Sequence, residues 1–384
     1  TKTLYFQSVS NSIGFRSNST NVSIDNVSVK EVTRDNVPRI DYSGGGCPHI
    51  LSEPQRTNLI TYSEDFENSY YDENNGVTAT NNSTTSPSGL VNASKILGSL
   101  NNAYIGRLQA YTTTSKTVTT SVFLKQDSIS DVGLYYTGNL GDGANDNLQI
   151  DLNLGTLTSI GSGITASITP FSNGWYKVTS TYTTKASGST LGIRLYSLSA
   201  GSFFAWGWQL EEGSFATSYI PTSGSTVTRN QDQFTRDGIG SLINSTEGVL
   251  FLEMAALSDD LTYRIISLSD GTDAERLYIQ YTSTTNQVSA VLKTGSSTQA
   301  NIQHTLTDET LFSKMAFKWK ANDFAFWIDG VEVGTDTSGS VPSGLNRLAL
   351  DRQLNTNTFF GKVKQLQVFK SALTDSELAT LTTI

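Results

Sequence analysis

The sequence is poor in the residues that most chemistry needs. Among 384 residues there is one cysteine, Cys47, and there are two histidines, His49 and His304. A single thiol excludes a disulfide framework and a thiolate metal cage. The two imidazoles lie in different segments, and neither stands in a metal-ligand spacing such as H-E-x-x-H. No G-x-S-x-G elbow and no phosphate-cradling loop occurs. There is no run of about 18 apolar residues, so membrane insertion through a helix is not expected. Charge is scarce as well, at 16% of residues, with a net value of -9. Neutralising phosphates takes a basic face, and no Lys/Arg cluster is present, so a nucleic-acid partner is excluded and an anionic lipid surface is disfavoured.

What remains is a vocabulary of Ser, Thr, Asn and Gly around a 37% hydrophobic fraction, the composition of strands and turns. The length fits two domains of roughly 140–170 residues plus connecting pieces, each able to bury a core without disulfides or metals. Apolar residues recur with period two. In Val118 to Lys125 one face collects Val118, Val122 and Leu124 while the other carries Thr119, Ser121 and Lys125, the pattern of a half-buried strand. Met315, Phe317 and Trp319 alternate in the same way with Ala316, Lys318 and Lys320. Asp329-Gly330 between two alternating runs is a strong hairpin signal. Many short strands with turns between them predict an all-β chain of tandem antiparallel β-sandwiches, or jelly rolls.

One short helix is predicted at the C-terminus. Thr374-Asp375-Ser376-Glu377 is a capping box, and Leu373 and Leu378 can form the hydrophobic staple, for a helix of about two turns. Residues 1–34 read as closing strands of a truncated upstream sandwich, since Ser23 to Glu31 echoes Phe204 to Glu212 by residue type. The chain starts at Thr1 rather than Met, which also suggests an upstream portion. Residues 35–56, with Pro38, Gly44-Gly45-Gly46 and Pro48, read as a linker, and so do residues 223–246.

Two resemblances now enter. Arg56-Thr57-Asn58-Leu59, Asn173-Gly174-Trp175-Tyr176, Trp206-Gly207-Trp208-Gln209-Leu210-Glu211-Glu212-Gly213 and Thr217 to Thr222 together resemble a module common in bacteriophage tail-fibre and other virion proteins. That module is itself similar to jelly-roll carbohydrate-binding modules, and the likeness covers residues 57–222. Residues 247–384 resemble a laminin-G or concanavalin-A-like lectin sandwich through Glu247-Gly248-Val249-Leu250-Phe251, Trp327-Ile328-Asp329-Gly330 and Phe360 to Phe369. The resemblances imply binding rather than catalysis. They also imply a possible calcium ion near Asp25, where related sugar-binding modules often hold one; the middle module has Trp206 at the matching place. The single cysteine fits a bacterial or phage source better than a secreted eukaryotic one.

Sugar recognition asks for flat aromatic faces and for polar groups that can bond hydroxyls. Trp327 lies on the opposite strand face from Phe324, Phe326 and Ile328, so it points outward if those three fill the core. A neighbouring loop or subunit covering it is the competing explanation. Tyr70 and Tyr71 in a polar loop, and Tyr135 and Tyr136 at a strand end, are further glycan-contact candidates. Trp175, Trp206 and Trp208 read as packing residues. Asp142 and Asp146 in Gly141 to Asn147 offer oxygen ligands for calcium, against the plainer reading of a hydrophilic hairpin tip. Glycoside hydrolysis needs two carboxylates about 5–10 Å apart across a cleft. Glu211-Glu212 and Asp259-Asp260 are neighbours that point to opposite strand faces, and read as solvated edges. The expectation is therefore a non-catalytic virion fibre protein, of tail or surface type, that adheres to cell-surface glycan as a homotrimer alongside other virion proteins. An accessory carbohydrate-binding region of a secreted polysaccharide-degrading enzyme and a purely structural spacer or capsid decoration are the alternatives.

Overall fold

The computed structural model describes residues 38–42, 48–110, 115–137, 146–185, 190–352 and 356–383. The expected closing strands in residues 1–34 lie outside these. Every strand ladder among the described residues is antiparallel, and the helical content is one short α-helix and two single 3-10 turns. The fold is an all-β jelly roll and a concanavalin-like sandwich, as the two-residue rhythm predicts.

The jelly roll packs two six-stranded sheets. The first runs, in order across the sheet, Thr156–Ile160, Asp146–Asp151, Asp131–Thr137, Thr190–Ser197, Tyr104–Ala110 and Glu73–Asn75. The second runs Ile164–Pro170, Trp175–Thr183, Thr117–Gln126, Gly201–Glu212, Val91–Gly98 and Val77–Thr85. Side chains alternate across each strand, so one set from each sheet meets in a common core: Val132, Leu134 and Tyr136 from the first sheet face Val118, Val122 and Leu124 from the second. Three near-parallel rings, Phe66, Tyr71 and Trp208, close one end of this core.

The C-terminal sandwich has Glu247–Ala256, Ser313–Lys320, Phe324–Ile328 and Gly361–Phe369 in one sheet and Arg264–Ser269, Arg276–Tyr281, Gln287–Thr294 and Ser297–Thr305 in the other. Met315, Phe317, Trp319, Phe324, Phe326 and Ile328 all enter its core. Asp329 and Gly330 both have positive φ, 48° and 85°, as a tight primed turn between twisted strands requires.

The two stretches read as linkers are built into the sheets. Arg39–Asp41 pairs with His49–Ser52, which pairs with Gly361–Phe369 and so extends the C-terminal sandwich. Arg56–Asn58 pairs with Val227–Arg229, and Thr235–Arg236 adds to Arg347–Ala349. Pro38 and Pro48 flank these strands rather than interrupting them, which is why proline did not prevent pairing. Glu53, 4% exposed, ties the stretches together: Arg39 and Arg229 each reach its Oε2 at 2.6 Å, and Arg39 also reaches Asp232 at 2.6 Å.

The helix α1, Asp375–Thr382, has the capping box read from sequence: Glu377 N–H donates to Thr374 Oγ1 and Thr374 N–H donates to Glu377 Oε2 at 2.8 Å. Those bonds to Thr374 hold the Glu377 carboxyl below its ordinary pKa. The helix lies on the outer face of the sheet, with Leu378 packed among Val249, Phe251, Ala316, Ala325 and Trp327. Thr374→Ala should cost about 1 kcal/mol and fray this cover. The readout is faster acrylamide quenching of tryptophan fluorescence, and quenching equal to wild type would contradict it.

Candidate functional site

The outer face of the first jelly-roll sheet carries a built cluster of aromatic and polar groups. In Asp131–Thr137 the core takes Val132, Leu134 and Tyr136, which leaves Gly133, Tyr135 and Thr137 outward. In Thr190–Ser197 the core takes Leu191, Ile193 and Leu195, which leaves Gly192, Arg194 and Tyr196 outward. Strand register then sets the rows: Asn147, Tyr135, Arg194, Gly106 and Glu73 lie across the sheet, and beside them Gln149, Gly133, Tyr196, Tyr104 and Asn75.

The contacts within the two rows are close. The Arg194 guanidinium carbon lies 4.3 Å from the centroid of the Tyr104 ring and 5.9 Å from that of Tyr135. Its Nε donates to Glu73 Oε2 at 3.0 Å, and Nη2 bonds the same oxygen. Tyr135 meets Tyr196 edge-on at 6.4 Å. The glycines have a reason to be there. A Cβ on Gly133 would run into the Tyr196 ring, and one on Gly106 would run into Arg194 and the backbone beside it. Their absence lets Tyr196 and Arg194 lie down along the sheet. Cation–π contacts of this kind contribute about 0.5–2 kcal/mol each and fix the rings before any ligand arrives. The result is a shallow surface of the half-buried Tyr104 and Tyr135 rings, with Tyr196 buried beside them and Arg194, Glu73, Gln149 and Asn147 around them. It can stack on the apolar side of a pyranose and bond its hydroxyls.

Only some of the residues singled out from sequence reach this surface. Tyr135 does. Tyr136, its neighbour, is fully buried, with its hydroxyl on Ser180, and burial pushes its pKa up. Tyr71 is 5% exposed, stacked on Phe66 at 5.2 Å and on Trp208 at 5.6 Å, and its hydroxyl donates to Tyr62 O at 2.6 Å. Neither can offer a ring to a ligand, because each sits on the core side of its segment. Tyr70 is half-buried with Arg107 over its ring at 4.7 Å, and Arg107 points to the opposite face of its strand from Gly106. Trp327 does lie on the outward face of its sheet, but α1 covers it and leaves it 8% exposed. The covering element wins there over the open-surface reading.

Of the calcium candidates, Asp25 and Asp142 lie outside the described residues. Asp146 is buried, and its Oδ2 accepts from Gly163 N–H at 2.9 Å, which makes it a turn-closing group. No group of three or more metal-ligating side chains is gathered among the described residues. The two acidic pairs also depart from expectation. Glu211 is buried and accepts both the N–H and the hydroxyl of Thr217, while Glu212 is exposed beside Lys116. Asp260 pairs with Arg264 at 2.6 Å. Asp259 accepts from Asn286 N–H at 3.2 Å. Nearby Glu309, 3% exposed, is pushed up to about 7, first by burial and then by the charges of Asp259, Asp260 and Asp308.

Sequence reasoning missed Tyr104, Arg194 and Tyr196. The alternation of Leu191, Ile193 and Leu195 could have marked Arg194 as outward-facing, but its partners come from strands far away in the chain.

Residues 252–379 match the family described as the concanavalin A-like lectin/glucanases superfamily. Among solved structures, a native heptameric SAP-like pentraxin from Limulus polyphemus is similar at 14% identity and a TM-score of 0.31, over 37% of this chain and 72% of that one. Domains LG4-5 of the mouse laminin alpha1 chain are similar at 12% identity and a TM-score of 0.27, over 70% of this chain and 86% of that one. No curated protein matches the chain. No helix among the described residues is long and apolar enough to cross a membrane. The family match over residues 252–379 and the two packed antiparallel sheets give the C-terminal sandwich a concanavalin A-like fold.

Proposed function

We propose that this chain is a non-catalytic adhesin of a phage virion fibre, and that it binds cell-surface glycan through the outer face of the first jelly-roll sheet. The observation that carries the reading is the pair of half-buried rings, Tyr104 and Tyr135, beside Arg194, already ordered by Glu73, by buried Tyr196 and by the glycines beneath. The lectin-like fold of the C-terminal sandwich supports it, as does the likeness of residues 57–222 to virion-fibre modules. A shallow face gives weak single contacts, so a homotrimer displaying three copies would gain by avidity.

The test is a glycan array probed with the intact oligomer, followed by titration of the best ligand. Tyr135→Ala removes one half-buried ring and should weaken binding about 10-fold, roughly the contribution of one stacked ring. Tyr135→Phe keeps the ring and should bind within about twofold of wild type. An array without a single bound glycan, or a Tyr135→Ala protein that binds as wild type does, refutes the proposal.

A further inference from the structure

A groove lies on the other sheet of the jelly roll. On its outer face the register places Thr169, Lys177, Phe123 and Trp206 in one row. Phe123 meets Phe171 edge-on at 5.3 Å and Trp206 at 5.3 Å, and Trp206 packs on Tyr219 at 4.6 Å. The adjoining rows bring hydroxyls, with Ser167 and Thr179 bonded at 2.6 Å and Thr181 beyond them. Residues 214–219 wall one side of this floor. Arg39 to Asp41, Glu53 and Lys362 of the C-terminal sandwich wall another, and together they enclose a groove of about 760 Å³. Clefts between domains are the preferred place for ligand sites.

The charges in the groove are unevenly matched. Glu53 is occupied by Arg39, Arg229 and the Ser218 N–H, and Glu211 beneath is occupied by Thr217. Lys177 is different. Its Nζ donates to Thr217 O at 3.2 Å and lies 6.0 Å from the Phe123 ring centroid. Among the described residues no carboxylate oxygen comes within ion-pair distance of it, nor of Lys362. An ammonium has three donors, and Lys177 spends one on that carbonyl. Burial pushes its pKa down, against the pull of Glu211, Glu53 and Asp41. A cation enclosed at this cost, in a chain whose net charge is -9, is expected to meet an anion from outside.

We propose that this groove takes up a saccharide carrying a carboxylate, with Lys177 holding the carboxylate, the Thr and Ser rows bonding hydroxyls, and the partly buried Phe171, backed by Phe123 and Trp206, contacting the apolar ring face. Lys362 at the rim adds attraction. The site is separate from the tyrosine face, so the measurement is made in a chain already carrying Tyr135→Ala and reports the groove alone. An oligogalacturonate and its carboxyl-reduced, neutral counterpart are titrated by calorimetry. The acidic probe should bind at least about 10-fold more tightly than the neutral one, since a charge-assisted bond is at stake. Lys177→Met keeps the methylene stem against Phe123 and should abolish that difference; Lys362→Ala, at the rim, should reduce it about threefold. Equal binding of the two probes, or an undiminished preference in both variants, overturns the proposal.

Discussion

Replacing Trp208 by alanine should lower the stability of the jelly roll by about 3–5 kcal/mol, the usual cost of truncating a fully buried large aromatic ring. Trp208 has no exposed surface and lies nearly parallel to two neighbouring rings, 5.6 Å from Tyr71 at 6° and 6.0 Å from Phe66 at 11°. Its backbone is committed as well: its N–H donates to Ser63 O at 2.9 Å, and Asn58 Nδ2 donates to its carbonyl at 3.4 Å. The backbone at Trp208 is thus held in place, and the gap left by alanine borders two rings already packed on each other at 5.2 Å, which cannot slump far into it. Urea denaturation followed by circular dichroism gives the comparison. A midpoint displaced by less than the equivalent of about 1 kcal/mol would show that the ring stack contributes little.

The second large effect concerns pH. Glu309 keeps its proton to about 7 in the folded chain, against an ordinary value of 4.5, because it is buried beside Asp259, Asp260 and Asp308. Its Oε2 and the Asp259 Oδ1 find no hydrogen-bond partner among the described residues. The folded state thus binds this proton more tightly than the unfolded state. Its stabilising effect is complete below 4.5, fades as pH climbs to about 7, and is gone above that, a span corresponding to at most about 3 kcal/mol. Glu309→Gln stays neutral throughout. Its melting temperature, measured in EDTA from pH 4 to 8, should match wild type at the acid end and exceed it by several degrees at pH 8. Curves that run parallel would refute the assignment.

The strand rhythm, the Asp329-Gly330 hairpin and the capping box of α1 are legible from local signals, because each depends on residues a few positions apart. The Tyr135-Tyr136 pair was also resolvable: Val132 and Leu134 commit the even-numbered side chains to the core, which leaves Tyr135 outside. Trp206 and Trp208 were not. Strict alternation puts both on one face, yet Trp206 lines the groove and Trp208 fills the core. Gly207, with φ of 65°, forms a bulge in the pairing with Thr117–Gln126 that moves the next residues to the other side. Trp327 failed for a different reason, since the helix that hides it arrives about fifty residues later. The tyrosine face was invisible because Tyr104, Tyr135 and Arg194 meet only through strand register, which no short window contains.

The pairing of Arg56–Asn58 with Val227–Arg229 has a mechanical consequence. The chain enters and leaves the jelly roll side by side, so tension transmitted along the polypeptide crosses at that short ladder and at the Arg39, Glu53, Arg229 and Asp232 cluster beside it. The sheet bearing the tyrosines is bypassed. A pull along the chain would load the junction while the tyrosine face kept its shape.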